Sequence, residues 1–313
     1  MIFLTFVNIK RKKEKDMCTS VYLDSGYFGR TLDYERSFGE EVLRSPRGSY
    51  CFGEARNRYA CLGVGVFDGR NPMYFDGINE FGLCAAALNF SGYADYSHGS
   101  EGLTSGKLVS FLLGFCRSTD EAKSAIEKLG IVGGEDSTPL HWIIADRLSA
   151  ITVEQTADGL KFYENKVGVL TNSPDFSYHL ARLSDFSALS PQATNNLVHV
   201  GITHHSRGQG AYGLPGDFSS SSRFARASYM RENSRTGQGG ELNRLRHILE
   251  AVSLPLGVVT ADDGSPVSTL YTSLCDMENL SYEVRSYGKY SYETYSLSPD
   301  GTEGGEVAKF PLY

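Results

Sequence analysis

The hydrophobic pattern near the N-terminus predicts a β-hairpin. Two apolar-rich runs within residues 19–32 flank Asp24, Ser25 and Gly26, a composition typical of a tight turn between antiparallel strands. Further apolar runs have the length and residue types of strands. They cover residues 41–45, 59–67, 73–75, 83–90, 140–146, 150–155, 160–163, 168–171, 269–275 and 280–287. Residues 76–82, which begin with Asp76 and Gly77, predict a turn between two of these strands.

Helical periodicity occurs in separate blocks. Residues 107–116 carry a broad apolar face, and Ser118 and Glu121 form a capping box that opens a second helix ending near residue 129. Three more helices are predicted at residues 176–186, 219–231 and 242–252. Runs of strands separated by runs of helices predict a layered α+β architecture rather than alternating βαβ units. The polar, glycine-rich residues 187–218 predict a surface excursion, used in assembly or as a substrate lid.

The charge balance narrows the range of partners. The chain has 313 residues, 41% of them hydrophobic, and a net charge of −7. Residues 1–16 hold five basic and two acidic groups, which is +3, so the chain from Met17 onward carries −10. A nucleic-acid or anionic-membrane partner would favour a basic face, so neither is expected.

Residues 1–17 are predicted to be a removable leader or a misassigned start. A short apolar stretch precedes a basic one there, which is the reverse of a signal peptide's charge order. No stretch of the chain approaches transmembrane length. We therefore expect a cytoplasmic protein in which residues 18–313 form a single domain.

Candidate chemistry begins at Cys18. The six cysteines lack C-x-x-C or metal-ligand spacing, so neither a disulfide framework nor a zinc site is predicted. If translation starts at Met17 and that methionine is trimmed, Cys18 becomes the first residue. Its thiol then lies beside a free α-amine. The reference pKa values, about 8.5 for the thiol and about 7.7–8.0 for the amine, provide a nucleophile and a general base near neutral pH.

Arg30 and Asp33 are candidates to support Cys18. A guanidinium near the sulfur favours the thiolate, and a carboxylate can orient the amine. Residues three apart in a flat strand point to opposite faces, so both can face Cys18 only if the segment bends or bulges. The same pattern also fits an ordinary cysteine in a buried strand, with a surface Arg/Asp pair.

Two asparagines are candidates for stabilising an oxyanion. Asn89 and Asn172 each end a predicted strand, and amide hydrolysis through a thiolate needs about two preorganised N–H donors for its tetrahedral intermediate. Both residues also suit ordinary turn or cap positions.

Other chemical motifs are weaker. The segment from Gly208 to Gly213 matches a dinucleotide fingerprint by its letters, but no strand precedes it and no helix follows. His199, His204 and His205 lie in the loop-like segment and fit solvated histidines better than a metal site. No metal or organic cofactor is expected.

Short motifs along the chain occur in the order typical of one enzyme family. They are Met-Cys-Thr at 17–19, Phe-Gly-Arg-Thr-Leu-Asp at 28–33, Ser-Pro-Arg at 45–47, Asp-Gly-Ile-Asn-Glu-Phe-Gly-Leu at 76–83, Leu-Asn-Phe at 88–90, Pro-Leu-His-Trp at 139–142, Gly-Val-Leu-Thr-Asn-Ser-Pro at 168–174, Gly-Leu-Pro-Gly-Asp at 213–217 and Ser-Arg-Phe at 222–224. With this set the chain resembles the choloylglycine hydrolases, which include bile salt hydrolases and the related penicillin V acylases.

The resemblance implies an N-terminal nucleophile hydrolase, built as a four-layer αββα sandwich with mainly antiparallel sheets and usually assembled as a homotetramer. Carried over by motif, Cys18 is the nucleophile and, through its freed amine, the base. The remaining catalytic positions implied are Arg30 and Asp33 beside it, the backbone N–H of Asn89 and the side chain of Asn172 as the oxyanion hole, and Arg223 in the polar network. Leu32 and Phe38 match positions that touch the steroid in this family.

The implied reaction is hydrolysis of glycine- or taurine-conjugated bile salts, a small-molecule substrate. The Leu-Asn-Phe motif around Asn89 is typical of bile salt hydrolases, whereas many penicillin V acylases have tyrosine at the asparagine position. A penicillin V or N-acyl homoserine lactone acylase is the alternative enzyme. A non-catalytic bile-acid-binding relative is a further alternative, because a retained leader would cap the amine of Cys18.

Overall fold

Two antiparallel sheets packed face to face, with helices on both outer sides, make up the architecture. The structure is a computed structural model that describes residues 17–97, 101–134, 137–192, 198–202, 207–297 and 302–313. The strands are β1 Met17–Leu23, β2 Tyr27–Tyr34, β3 Glu41–Ser45, β4 Cys51–Phe52, β5 Ala55–Arg56, β6 Cys61–Phe67, β7 Pro72–Asn79, β8 Cys84–Asn89, β9 Leu103–Thr104, β10 Ile131–Val132, β11 Leu140–Ala145, β12 Ala150–Thr156, β13 Gly159–Glu164, β14 Val169–Leu170, β15 Val259–Thr260, β16 Pro266–Asp276, β17 Ser281–Ser286, β18 Glu293–Ser296 and β19 Ala308–Pro311. The α-helices are α1 Leu108–Phe115, α2 Thr119–Leu129, α3 Phe176–Arg182, α4 Ser220–Asn233 and α5 Gly240–Glu250.

The two large sheets differ in strand order. One has the order β14-β1-β2-β16-β17-β18, with β15 added beside β16. The other has the order β13-β12-β11-β8-β7-β6-β3-β19. Neighbouring strands are antiparallel in both sheets, with β9 and β10 forming a separate short parallel pair.

The core forms in two layers on either side of the eight-stranded sheet. One buried cluster joins the facing sides of the two sheets to the apolar residues of α4 and α5, which cover the seven-stranded sheet. The second cluster lies between the outer face of the eight-stranded sheet and α1 and α2. The layer order is therefore αββα, and the predicted fold class is confirmed.

The predicted hairpin is β1 and β2. Cys18 lies opposite Leu32, and Met17 lies opposite Asp33. The strand β16 pairs with the other edge of β2, and its register shifts between Thr269 and Tyr271. The strand β1 is an interior strand, in which Cys18 pairs with β2 and the following Ser20 and Val21 pair with β14.

The predicted turn at residues 76–82 is wrong in its first half. The strand β7 continues through Asp76 and Gly77 to Asn79. Gly77 lies opposite Gly63 in β6, and a Cβ atom on Gly77 would come 2.6 Å from the carbonyl oxygen of Leu62. The glycine is needed for this close approach of two backbones rather than for a turn.

The other predicted elements are confirmed in type, with shifts of a few residues at their ends. The Ser118 side chain accepts a hydrogen bond from the backbone N–H of Glu121, which is the first half of the predicted capping box, while the Glu121 carboxylate accepts the backbone N–H of Arg117. The predicted third helix is α3, followed by a 3-10 turn at Leu183–Phe186. Within residues 187–218, the described part contains only short 3-10 turns and irregular chain. No helix of the described residues is long and apolar enough to cross a membrane.

Candidate active site

Cys18 lies between the two sheets, near the start of β1. Its side chain is 2% exposed, and its sulfur accepts a hydrogen bond from Arg30 Nη2 at 2.8 Å. Arg30 comes from β2, two positions before the residue opposite Cys18, so the two side chains share one face of the hairpin. The predicted contact between guanidinium and thiol is therefore present.

The Arg30 guanidinium is held by backbone carbonyl groups of both sheets. Its Nη1 donates to the carbonyl of Ala87 at 3.0 Å and to that of Phe75 at 3.3 Å, and its Nε donates to the carbonyl of Thr31 at 3.2 Å. Burial opposes the charge of Arg30, but Cys18, Tyr271 and Asp76 outweigh that effect and raise its pKa above the ordinary value. A permanent cation is thus fixed against the thiol, which favours the thiolate.

Asp76 balances Arg30 from the opposite side. Its Oδ2 lies 3.9 Å from Arg30 Nη1 and accepts a hydrogen bond from the Tyr271 hydroxyl at 2.5 Å. Its Oδ1 accepts hydrogen bonds from Tyr282 at 2.6 Å and Ser273 at 2.8 Å. Three hydroxyl donors and the nearby guanidinium therefore surround this buried carboxylate.

Asp33 lies on the other face of the hairpin from Arg30. Its carboxylate accepts hydrogen bonds from Thr269 at 2.6 Å and Thr31 at 3.3 Å. The strand β2 pairs with β1 without a bulge, so Arg30 and Asp33 point to opposite faces of the hairpin. The register shift beside Asp33 lies in β16. Burial raises the pKa of Asp33 to about 6, against the opposing effects of Arg223, Thr269 and Arg30. The Asp33 side chain lies on the same face of the hairpin as Thr19. Met17, the residue before Cys18, lies opposite Asp33 in the strand pairing.

The main chain of Cys18 is bound by Asn172 and Arg223. The backbone N–H of Cys18 donates to Asn172 Oδ1 at 2.7 Å. Arg223 comes from the start of α4 and donates to the carbonyl of Cys18, to Thr19 Oγ1 at 2.6 Å and to Asn172 Oδ1 at 2.7 Å. Burial lowers the pKa of Arg223, and the nearby Asp33 offsets this only in part.

The two asparagines are joined to each other. Asn172 Nδ2 donates to the backbone carbonyl of Asn89 at 3.1 Å. Since Asn172 Oδ1 accepts from two donors, Cys18 and Arg223, the orientation of this amide is set by its partners. The side chain of Asn89 instead accepts from the backbone N–H of Ser91 at 3.0 Å, which is a turn role. The backbone of Asn89, rather than its side chain, therefore belongs to the site.

The two predicted substrate contacts differ in exposure. Leu32 is nearly buried, directly opposite Cys18 and on the same face. Phe38 is 45% exposed, stacks on Tyr34 with ring centroids 4.5 Å apart, and packs edge-on against Phe75. An exposed aromatic ring of this kind is suited to contact with an apolar ligand.

Several polar residues of the site were not singled out from the sequence. Thr269, His141, Glu154 and His179 are buried and hydrogen-bonded to residues named above or to their neighbours. His141 lies in an otherwise apolar strand, His179 in a short helix, and Glu154 and Thr269 in strands of mixed composition. A charged or imidazole side chain in such a setting is the local sequence signal for the two histidines and Glu154, and Thr269 has no such signal.

The remaining candidate motifs do not join this site. Gly208 has φ +82° and precedes a 3-10 turn at Gln209–Ala211, so no strand-turn-helix unit forms there. His199 is exposed, and His204 and His205 lie outside the described residues, as do residues 1–16. Among the described residues, no group of three or more His, Cys, Asp or Glu side chains is arranged to hold a metal ion.

Comparison with known proteins gives concordant results. The family of linear amide C–N hydrolases called the choloylglycine hydrolase family matches residues 18–304. A bile salt hydrolase/transferase of Lactiplantibacillus plantarum is 38% identical over 95% of this chain and 97% of its own length. A conjugated bile acid hydrolase of Lactobacillus acidophilus is 33% identical over 90% of this chain and 96% of its own.

Solved structures agree on the fold. A mutant of the conjugated bile acid hydrolase from Clostridium perfringens superposes with a TM-score of 0.85 at 30% identity, covering 95% of this chain and 96% of that one. A penicillin V acylase from Agrobacterium tumefaciens superposes with a TM-score of 0.74 at 22% identity, covering 95% and 92%. The second likeness concerns the fold alone.

Proposed function

The chain belongs to the choloylglycine hydrolase family of linear amide C–N hydrolases, and from this premise we propose that it hydrolyses glycine- or taurine-conjugated bile salts with Cys18 as an N-terminal nucleophile. The observation that carries the proposal is the 2.8 Å contact between Arg30 Nη2 and the buried sulfur of Cys18. The Lactiplantibacillus plantarum and Lactobacillus acidophilus relatives are named as enzymes of bile salts and conjugated bile acids, and these names support the proposed substrate.

The general base is the α-amine of Cys18, freed by removal of residues 1–17. In the chain that retains Met17, the Cys18 nitrogen is an amide, which cannot accept a proton. Asp33 lies opposite Met17 and next to this nitrogen, so after removal its carboxylate is placed to hold the new ammonium or amine. The family match, which starts at Cys18, supports this boundary and residues 18–313 as the catalytic domain.

The reaction then proceeds in two steps. The Cys18 thiolate attacks the carbonyl carbon, and the C–N bond breaks as the amine of Cys18 passes a proton to the leaving nitrogen of glycine or taurine. This leaves the bile acid as a thioester on Cys18. Water, deprotonated by the same amine, hydrolyses the thioester and releases the free bile acid.

Asn172 and Asn89 provide the oxyanion side of the site. The Asn172 amide carries two hydrogens, and one of them is donated to the carbonyl of Asn89. The second hydrogen and the backbone N–H of Asn89 are the donors that we assign to the developing oxyanion. Arg223 fixes Asn172 Oδ1, and so determines where Nδ2 points.

The steroid is placed against Leu32 and Phe38. Leu32 lies on the Cys18 face of the hairpin, and Phe38 extends this apolar surface outward with Tyr34 and Phe75. A rigid apolar ring system gains most from burial against such aromatic side chains.

We further propose that the enzyme is a cytoplasmic homotetramer. Light scattering of the purified protein tests the oligomeric state by measuring its mass.

The test is amino acid release from glycocholate, taurocholate and penicillin V. The full chain and a chain started at Met17 are compared, and intact mass identifies which preparation begins at Cys18. Cys18→Ala is the blank, and Cys51→Ala is the matched control because Cys51 is a half-buried cysteine in a separate hairpin. We expect release above the blank only where Cys18 is the first residue, with Cys51→Ala equal to the parent.

Other outcomes select among the alternatives. Turnover of penicillin V or an N-acyl homoserine lactone without bile salt turnover would contradict the proposed substrate but not the proposed mechanism. Wild-type-like activity of Cys18→Ala would overturn the nucleophile. A protein that keeps residues 1–17, binds bile acids and releases no amino acid would be a binding relative rather than an enzyme.

A further inference from the structure

Two buried histidines hold consecutive carbonyl groups at Asn172. His141 Nε2 lies 2.8 Å from the carbonyl oxygen of Thr171, and His179 Nε2 lies 2.8 Å from that of Asn172. Both side chains are fully buried. Carbonyl oxygens only accept hydrogen bonds, so each Nε2 must carry a hydrogen and donate it.

The two histidines reach Asn172 from different layers of the fold. His141 belongs to β11 in the eight-stranded sheet, and His179 belongs to α3. Ser220, the first residue of α4, adds a hydroxyl that accepts the Asn172 backbone N–H at 2.9 Å. Both backbone polar groups of Asn172 are therefore held, and its side chain is held separately by Arg223.

Glu154 closes this arrangement into a ring. Its Oε1 lies 3.1 Å from His141 Nδ1 and accepts the backbone N–H of Phe176 at 2.9 Å. Phe176 is the first residue of α3, which carries His179. His141 and Glu154 thus bind the two ends of residues 171–176, and Asn172 lies within this segment.

His141 also contacts the segment of Asn89. Its ring stacks on Phe90 with centroids 4.3 Å apart and planes within 9°. The Phe90 N–H donates to the carbonyl of Pro139 at 2.8 Å, and Asn89 lies opposite Leu140 in the sheet. The same imidazole therefore lies against both segments that we assign to the oxyanion side.

We propose that His141 and His179 are positioning residues, which set the place of the Asn172 amide relative to the Cys18 sulfur and thereby the stabilisation of the oxyanion. This inference rests on the proposed function, because it presumes the oxyanion role of Asn172. An oxyanion donor acts only within about 2.7–3.1 Å of its target, so a shift of Asn172 by a fraction of an ångström lowers the rate. Neither histidine contacts the sulfur in the described structure, so thiolate reactivity should not depend on them.

The experiment compares two reactions of the same cysteine. Hydrolysis of glycocholate forms an oxyanion, whereas alkylation of Cys18 by iodoacetamide does not. His141→Leu and His179→Leu remove the donors, and His141→Gln and His179→Gln retain an amide donor near the position of Nε2. Asn172→Ala is the benchmark, and His247→Leu on the exposed side of α5 is the matched control. The preparation that begins at Cys18 is used throughout, with alkylation followed by mass at the Cys18 peptide.

We expect each Leu variant to lose about 10–100-fold in kcat with KM and the alkylation rate within about twofold of the parent. The Gln variants should recover most of this loss, and His247→Leu should match the parent. Folded Leu variants that keep the parental kcat would overturn the proposal. So would a parallel loss of hydrolysis and alkylation, which indicates general damage to the site, or a complete failure of Gln to restore activity.

A second variant covers the case in which the Leu proteins do not fold. Glu154→Gln keeps an oxygen for the Phe176 N–H but replaces the carboxylate that contacts His141 Nδ1 by a weaker acceptor, so one of its two contacts weakens. We expect a lower kcat with unchanged alkylation, and a parental kcat would overturn the proposal. If Asn172→Ala itself hydrolyses glycocholate normally, the oxyanion role in the proposed function fails. If Asn172→Ala is impaired while the histidine variants are not, only the present inference fails.

Discussion

Two arginines, Arg30 and Arg223, are fully buried on either side of Cys18, and their surroundings are opposite in kind. Arg30 faces the interior between the sheets, where the Cys18 sulfur and Asp76 are its partners. Arg223 lies on the helix side and donates to neutral oxygens of Cys18, Thr19 and Asn172. The pKa of Arg30 is raised, and that of Arg223 is lowered.

The difference separates two roles within one residue type. An arginine with anionic partners stabilises charge on the sulfur, because the attraction is strong where the local dielectric is low. Arg223, whose hydrogen-bond partners are carbonyl, hydroxyl and amide oxygens, has its desolvation cost offset only in part by Asp33, and it fixes the orientation of these groups. The first should control thiolate formation, and the second should control the geometry in which the thiolate reacts.

The largest expected effect comes from Arg30→Met. We expect hydrolysis to fall by more than about 10³-fold and alkylation of Cys18 at neutral pH to slow by at least about tenfold, because the thiolate loses its cation. The free energy of unfolding should fall by about 3–5 kcal/mol, since the buried Asp76 loses its cationic partner. Steady-state hydrolysis, iodoacetamide kinetics and denaturant unfolding measure these three effects. Arg117→Met is the control, because Arg117 forms an exposed pair with Glu121.

Arg223→Met, the same substitution on the other side, should separate the two reactions. We expect kcat to fall by about 10²–10³-fold, because Asn172 and the Cys18 backbone lose their common donor, while alkylation stays within about threefold of the parent. Steady-state hydrolysis and alkylation are measured on one preparation. If alkylation slows as much as in Arg30→Met, the two arginines act on the same atom and the distinction drawn above is wrong.

His179 lies near Arg223, and its titration makes the pH dependence of stability a measurement of this side of the site. Burial, together with His141 and Arg223, lowers the pKa of His179 to about 4. The unfolded state therefore binds more protons than the folded state between about pH 4 and 6.5, and stability rises with pH across this window. The parent should gain about 3 kcal/mol relative to His179→Gln from pH 4 to pH 6.5. A pH-independent difference between the two proteins, measured by denaturant unfolding, would contradict this.

The smallest expected effect sharpens the Arg30 side. Asp76→Asn removes the anion that competes with the sulfur for Arg30, so the pKa of the Cys18 thiol should fall by about half to one unit. The pH dependence of Cys18 alkylation reports this shift directly. Ser273→Ala is a matched control, because it removes one hydrogen bond to Asp76 and leaves the carboxylate charge in place. A thiol pKa that rises in Asp76→Asn would show that Asp76 supports Arg30 more than it competes for it.

Residue patterns alone predicted most of the elements and the hairpin that carries Cys18. Strand alternation, the capping box at Ser118 and turn residues are local signals, and the elements that they predict depend on neighbours in sequence. The exception is the turn at Asp76 and Gly77, where the dipeptide has its usual turn composition but serves a close strand pairing and a buried carboxylate. No local pattern distinguishes these two uses of the same residues.

Cys18, Arg30, Asp33, Asn89 and Asn172 were candidates from their residue types and positions, whereas Arg223, Leu32 and Phe38 were predicted only through the ordered motifs. The contacts of Asp76, His141 and His179 were not predicted. Periodicity indicated that Arg30 and Asp33 lie on opposite faces of β2, but it could not show that the site uses both faces. Asp76, His141 and His179 come from β7, β11 and α3, which are distant from Cys18 in sequence. Their contacts with Arg30 and Asn172 exist only because two sheets and a helix layer meet at the first strand.

The sequence by itself therefore determined the element types, the acidic character of the chain, the family and the residues able to carry cysteine chemistry, since each is written in composition, local pattern or ordered motifs. Only the tertiary structure decided that Arg223 donates to Asn172 and to the main chain of Cys18, and which buried residues keep each arginine in place. The physical reason is that side-chain charge and hydrogen bonding act through space over a few ångströms, and packing alone decides which distant residues come within that reach.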